Sequence, residues 1–156
     1  MQENKQLYCP IRRTWVAALP EEHVRQFFIQ HMVGDCHFPQ ILIAVEKSLK
    51  QLPHLHAIDL CKIPDRRADI ICFANKEDRL FPLLIVECKA IKLTKRVVNQ
   101  VASYNRFVRA PFIAIVNLQE IRFGTYDLMK DEYTFIDHLP DFKHLCSLGG
   151  LYEPGG

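Results

Sequence analysis

Asp69, Glu87 and Lys89 are the residues whose types and spacing could do chemistry. Glu87 and Lys89 close the octapeptide LLIVECKA, residues 83–90, an apolar run that ends on an acid and a base one residue apart. Alternation along a strand puts Glu87 and Lys89 on one face and Cys88 on the other. Asp69 lies in a second strand-like run, ADIICF, and the nine residues between the two runs, ANKEDRLFP, suit a hairpin connection. In an antiparallel pair, opposed positions sum to a constant. A loop centred on Asp78 sets that constant at 156, which places Asp69 opposite Glu87 and Ile71 opposite Ile85. Directly opposed Cβ atoms lie ~5 Å apart. Two carboxylates and one ammonium then meet at one end of a sheet.

Two acids that close repel unless a cation or a shared proton intervenes. Mg²⁺ meets that need, because it takes one or two protein carboxylates and completes its shell with water and substrate phosphate; Mn²⁺ is its substitute. Lys89 on the same face could activate a water and stabilise charge on a phosphoryl oxygen. The chemistry that fits is metal-assisted hydrolysis of a phosphodiester. The plainer account is a pair of solvated strand-end acids with Lys89 as their ion-pair partner. A one-residue slip in register would also undo the convergence.

The elements that must position these groups follow from the hydrophobic pattern. PEEHVRQFFIQHMV, residues 20–33, carries Pro at the first helical position and acids in the first turn, and its apolar residues recur at helical spacing. ILIAVEKSL, residues 41–49, has the composition of a strand, and a loop broken by Pro53 and Pro64 follows. From Thr94 to Arg109 the period becomes helical: Thr94 can cap, and Val97, Val98, Val101, Tyr104 and Val108 make an apolar stripe. FIAIV, residues 112–116, is a buried strand, and residues 121–126 pair back on it. This order predicts a single α/β domain with a central mixed sheet flanked by helices. The expected division is an N-terminal arm over 1–19, a core over 20–128 and a C-terminal extension over 129–156, whose end, GGLYEPGG, is expected to be loose.

Composition sets the outer bounds. A chain of 156 residues with 49% hydrophobic content is long enough to bury a core without staples. A net charge of +2 permits a nucleic-acid partner only through a local basic patch. The six cysteines show no paired spacing, the N-terminus has no apolar export segment, and no apolar run approaches a membrane span. Those features lead us to expect a soluble, cytoplasmic protein with reduced thiols.

RRADIICF, LLIVECKA and NQVASYN, in that order, resemble the PD-(D/E)xK nuclease superfamily, and more closely the N-terminal nuclease domain of type I restriction enzyme R subunits and its stand-alone relatives. CPIRRTWVAALPEEHVRQFFIQHM is similar to that family's opening segment, IAVEKSL to its first strand, and APFIAIVN to the strand after the second helix, so the likeness covers most of the chain. The resemblance implies a restriction-endonuclease-like fold and Mg²⁺-dependent cleavage of DNA. It makes Asp69 and Glu87 metal ligands, with the Cys88 carbonyl as a third, and Lys89 the catalytic lysine. Gln100 corresponds to a supporting glutamine that should face the sheet; apart from the family it is equally a helix-surface residue. A first-helix glutamate should hold a metal-bound water. Glu21 shares a face with Val24 and Phe28 and is preferred, while Glu22 stays open. The chain departs from the family at Leu19, where relatives carry a Thr cap, and at Val116-Asn117-Leu118, where they carry Thr-Asn-Gly. Nothing resembles a motor, so restriction of the multi-subunit kind would require other subunits, and a homodimer is the other assembly to consider. The rival class is a non-catalytic DNA-binding or assembly module that keeps the nuclease fold.

Arg66, Arg67, Lys92, Lys95, Arg96 and Tyr104 flank the acids and are expected to contact nucleic acid; solvated surface charge is the bland account. His31, Cys36, His37, His54, His56 and Cys61 match no compact zinc spacing. Glu46 is expected on a solvated strand face, Trp15 in the packing of the arm onto the domain, and Cys88 in the core.

Overall fold

The structure, a computed structural model, describes residues 4–52 and 60–150. His54, His56 and Pro53, and the tail from Leu151 to Gly156, lie outside the described residues. A short hairpin, β1 (Gln6–Cys9) and β2 (Thr14–Ala17), leads into helix α1 (Pro20–Gly34). The main sheet then forms from β3 (Ile43–Ser48), β4 (Arg67–Lys76), β5 (Arg79–Cys88), β6 (Phe112–Val116), β7 (Ile121–Asp127) and β8 (Glu132–Ile136). Helix α2 (Lys95–Val108) crosses from β5 to β6, and α3 (Phe142–Leu148) closes the described chain. The strands lie in sequence order, β3 to β8, and only β5 and β6 run parallel. The mixed sheet flanked by helices that the sequence predicts is the fold observed. The segment set apart as a C-terminal extension supplies β8 to this sheet and α3 to its core, with Phe142, Leu145 and Cys146 buried.

A parallel pair needs a crossover, and α2 provides it. Thr94 caps α2 by accepting the Val97 N–H at 3.4 Å. The apolar stripe Val97, Val101, Tyr104 and Val108 packs on Ile71, Ile85, Ile113 and Ile115 from one sheet face. The other face, carrying Ile70, Cys72, Leu84, Val86, Cys88 and Ala114, packs on α1 and α3. Cys88 is fully buried there, as expected. Central strands covered on both faces account for the uninterrupted apolar runs in β5 and β6.

The hairpin β4–β5 carries a feature the sequence pattern does not announce. Its tip is Glu77-Asp78, both at positive φ, and pairing beside the tip opposes Lys76 to Arg79 and Phe73 to Pro82, a constant of 155. Beyond a register shift between Cys72 and Phe73, pairing runs Cys72 with Leu84 and Ile70 with Val86, a constant of 156. Leu83 is the extra residue of this bulge, so Leu83 and Leu84 both enter the core on the α1 and α3 side. Pro82, which lacks an N–H, sits at the bulge and before β6 begins to pair at Leu84.

Candidate active site

The bulge decides where the acids point. With a constant of 155 carried to the strand end, Asp69 would oppose Val86; with 156 it opposes Glu87, the alignment expected from the sequence. The ladder stops at Ile70–Val86, and beyond it the Asp69 carboxylate replaces the backbone: its Oδ2 accepts the Cys88 N–H at 2.8 Å. Asp69 Oδ1 accepts Arg25 Nη2 of α1 at 2.9 Å. Glu87, only 5% exposed, points to the α2 side. Its Oε1 meets Arg66 Nη2 at 3.2 Å and Lys89 Nζ at 3.3 Å, and its Oε2 accepts the Tyr104 hydroxyl at 3.0 Å. The Arg66 guanidinium stacks 4.6 Å above the Tyr104 ring.

Asp69, Glu87, Lys89 and the Cys88 backbone thus lie at one sheet end, but the Asp69 carboxylate engages α1 and the Glu87 carboxylate α2, so the two acids do not share the single sheet face expected of them. On α1, Glu21 is exposed and Glu22 is buried, which corrects the expectation that Glu21 faces the sheet. Glu22 ion-pairs with both Arg12 and Arg25 and accepts Gln26 Nε2 at 2.9 Å. Glu46 is exposed, as expected, but at φ +53° it also breaks the β3–β4 ladder opposite Asp69 and meets Arg12 at 3.3 Å and Arg25 at 3.6 Å. Gln100 is exposed and its side chain makes no hydrogen bond among the described residues, contrary to its expected position against the sheet. Tyr104 is buried against Glu87 rather than available to nucleic acid, while Arg67, Lys92, Lys95 and Arg96 are exposed. Trp15, 63% exposed, touches Tyr8 edge-on across the β1–β2 hairpin, so it does not seal the arm to the domain.

Four carboxylates (Glu22, Glu46, Asp69, Glu87) therefore face four cations (Arg12, Arg25, Arg66, Lys89). Burial, then the negative charge of Asp69, raises the Glu87 carboxyl above its ordinary range, against the pull of Arg66, Lys89 and the Tyr104 hydroxyl. Burial alone would lower Arg25, but its hydrogen bond to Asp69 and the charges of Asp69 and Glu22 hold it above its ordinary value. Burial, then Asp69, raises the Cys88 thiol well above the normal range, so it is inert.

The donor set can be tested against a divalent ion. Among the described residues no group of three or more His, Cys, Asp and Glu side chains is placed to hold a metal ion. A carboxylate offers about four lone-pair directions; Asp69 uses two and Glu87 three. Two hard carboxylates with spare acceptor capacity fit an ion that keeps most of its waters, which is how Mg²⁺ is held.

A family described as type I restriction enzyme R protein N terminus matches residues 20–140 of the chain. No curated protein and no solved structure matches. The match starts at the first residue of α1, so Arg12 and the β1–β2 hairpin stand outside it, and it runs on past β8.

Proposed function

The chain belongs to the family of type I restriction enzyme R protein N termini, and from that premise we propose that it hydrolyses phosphodiester bonds in DNA with the help of Mg²⁺. What supports this reading is that the β4–β5 register, last paired at Ile70–Val86, delivers Asp69 and Glu87 to the same sheet end, where Asp69 holds the Cys88 N–H and Lys89 stands 3.3 Å from Glu87. Asp69, Glu87 and the Cys88 carbonyl would hold the ion, which when bound supplies charge stabilisation at the phosphate and a more acidic water. Lys89, half-buried, holds its ammonium at the mouth of the site, where it orients the attacking water and stabilises negative charge on the phosphoryl oxygen. Tyr104 and Arg66 fix the Glu87 carboxylate from the α2 side. Arg25 fixes Asp69 from the α1 side, and Glu22, rather than Glu21, balances Arg25 and Arg12. Gln100 stands at the rim, free to meet substrate. Arg67, Lys92, Lys95 and Arg96 present cations for the DNA backbone. A supercoiled plasmid incubated with Mg²⁺ or Mn²⁺ should be nicked or linearised by the wild type and left intact by Asp69→Ala and Lys89→Ala; equal cleavage by all three would overturn the assignment.

A second reading, a DNA-binding or assembly module that retains the nuclease fold without catalysis, draws on the engagement of Asp69 and Glu87 by Arg25, Arg66 and Lys89. Thermal shift separates the two. Mg²⁺ or Mn²⁺ should raise the melting temperature of the wild type and not that of Asp69→Ala; absence of any shift in the wild type favours the module.

A further inference from the structure

A second groove lies on the α2 side of the sheet, between α2 and the hairpin β7–β8. It encloses about 790 Å³ and is lined by Lys95, Arg106, Arg109 and Arg122 together with Tyr126, Tyr133 and Phe135. The aromatics form a shelf. Tyr126 opposes Tyr133 in the β7–β8 register, and Phe135 follows two residues on, so all three share one face. Their rings contact in series, Tyr126 to Tyr133 at 5.2 Å and Tyr133 to Phe135 at 6.2 Å. Phe135 lies over Gly124, where an added Cβ would come within 2.7 Å of its ring. Tyr126 and Phe135 are 38% and 37% exposed.

The opposite wall is cationic. Lys95, Arg106 and Arg109 are exposed and make no ion pair among the described residues. Arg122, on β7 beside the shelf, adds a further cation with only a long contact to Glu120, at 3.9 Å. Of the two acids in the lining, Asp131 accepts the Tyr126 hydroxyl. Lys95 and Arg109 stand about 20 Å apart along the helix, at 1.5 Å per residue. The Lys95 end is the one nearest the C-terminal end of β5, where Glu87 and Lys89 sit.

We propose that this groove binds single-stranded nucleic acid, with unpaired bases on the Tyr133–Phe135 shelf and the phosphate backbone along Lys95, Arg106 and Arg109. Uncompensated cations complement a polyphosphate backbone. Exposed aromatic faces add affinity only where bases are free to leave their stack, which selects a single strand over a duplex. The proposal goes beyond the cleavage reading and does not require it: none of the groove residues belongs to the Asp69–Glu87 cluster, and only Lys95 is shared with the cations assigned to the DNA backbone there.

The test is fluorescence anisotropy with a labelled oligothymidylate of roughly a dozen nucleotides, within the span of one such platform, beside a duplex of equal length and a labelled mononucleotide. The wild type should bind the single strand more tightly than either alternative. Phe135→Leu, which keeps apolar cover over Gly124, and the pair Arg106→Ala with Arg109→Ala should each weaken single-strand binding roughly tenfold. Duplex binding should hold within about twofold, and circular-dichroism melts should confirm folding. Asp69→Asn should retain single-strand affinity while losing cleavage, so failure of either proposal leaves the other standing. Unchanged single-strand affinity in the folded variants, equal loss for both probes, or a mononucleotide that binds as tightly as the oligomer would each overturn the groove.

Discussion

Asp69 takes the place of a rung in the β4–β5 ladder, accepting the Cys88 N–H at 2.8 Å beyond the last paired residues, Ile70 and Val86. One carboxylate thereby ends a sheet, orients the peptide between Glu87 and Lys89, and anchors Arg25 of α1 at 2.9 Å. Structure and the proposed chemistry share the same atoms at this point.

Substituting Asp69 should therefore separate by shape and charge. Asp69→Asn keeps an oxygen for the Cys88 N–H and leaves Arg25 its contacts with Glu22 and Glu46, so a loss of about 1 kcal/mol is expected. Asp69→Leu orphans a buried N–H and strips a buried arginine of a partner, for a loss of about 2–4 kcal/mol. Urea denaturation of the two variants checks this; equal losses would show that the Cys88 bond contributes nothing.

Tyr104→Phe deletes the hydroxyl that donates to Glu87 Oε2 at 3.0 Å inside a dry site. A cost of about 1–3 kcal/mol follows from the orphaned acceptor. That hydrogen bond also lowers the Glu87 pKa, so its loss should move the acid limb of any pH–cleavage profile to higher pH. A limb that stays in place would detach Glu87 from the reaction.

Glu87 itself sets a pH dependence of stability. Its folded pKa is raised above the ordinary 4.5, so the folded state holds this proton more tightly than the unfolded state. The unfavourable contribution is absent below the unfolded pKa, grows as pH rises through the window between the two values, and is complete above the folded one. Relative to wild type, Glu87→Gln should gain stability as pH climbs through that window. A variant that instead loses ground with rising pH would show that Arg66 and Lys89 outweigh burial.

Gly124→Ala tests the edge of the sheet. The new Cβ would lie 2.7 Å from the Phe135 ring and 3.0 Å from Ile113 Cγ1, so a loss of about 1–3 kcal/mol is expected from overpacking. Phe135→Leu in the same chain should recover part of it, a non-additivity that a double-mutant cycle would measure.

Helices α1 and α2, the inner strands and the register that leads towards an opposition of Asp69 to Glu87 were legible because apolar periodicity and strand parity are local signals; α3 was not. The route to that opposition was not. Only two residues, Glu77 and Asp78, form the tip, and the bulge at Leu83 supplies the remaining shift; Pro82 beside a Leu-Leu step was the available hint. Glu22 outranks Glu21 because burial on α1 follows its ion pairs with Arg12 and Arg25, and Arg12 comes from a hairpin of two four-residue strands, β1 and β2, with no alternation long enough to detect. Glu46 depends on a positive φ that a glutamate does not advertise. β8 escaped notice because EYTFI lies at the open edge, almost wholly exposed, so burial wrote no pattern into it.

The bulge in β5 has an equivalent that no acid would feel. A hairpin whose tip is longer by one residue, with Leu83 removed and Pro82→Val restoring the missing amide, would bring Asp69 and Glu87 to the same opposition along an unbroken ribbon. Tip length and bulge are thus interchangeable solutions to one counting problem, and the outer half of this hairpin could be recut or carry a graft while the far end keeps its aim.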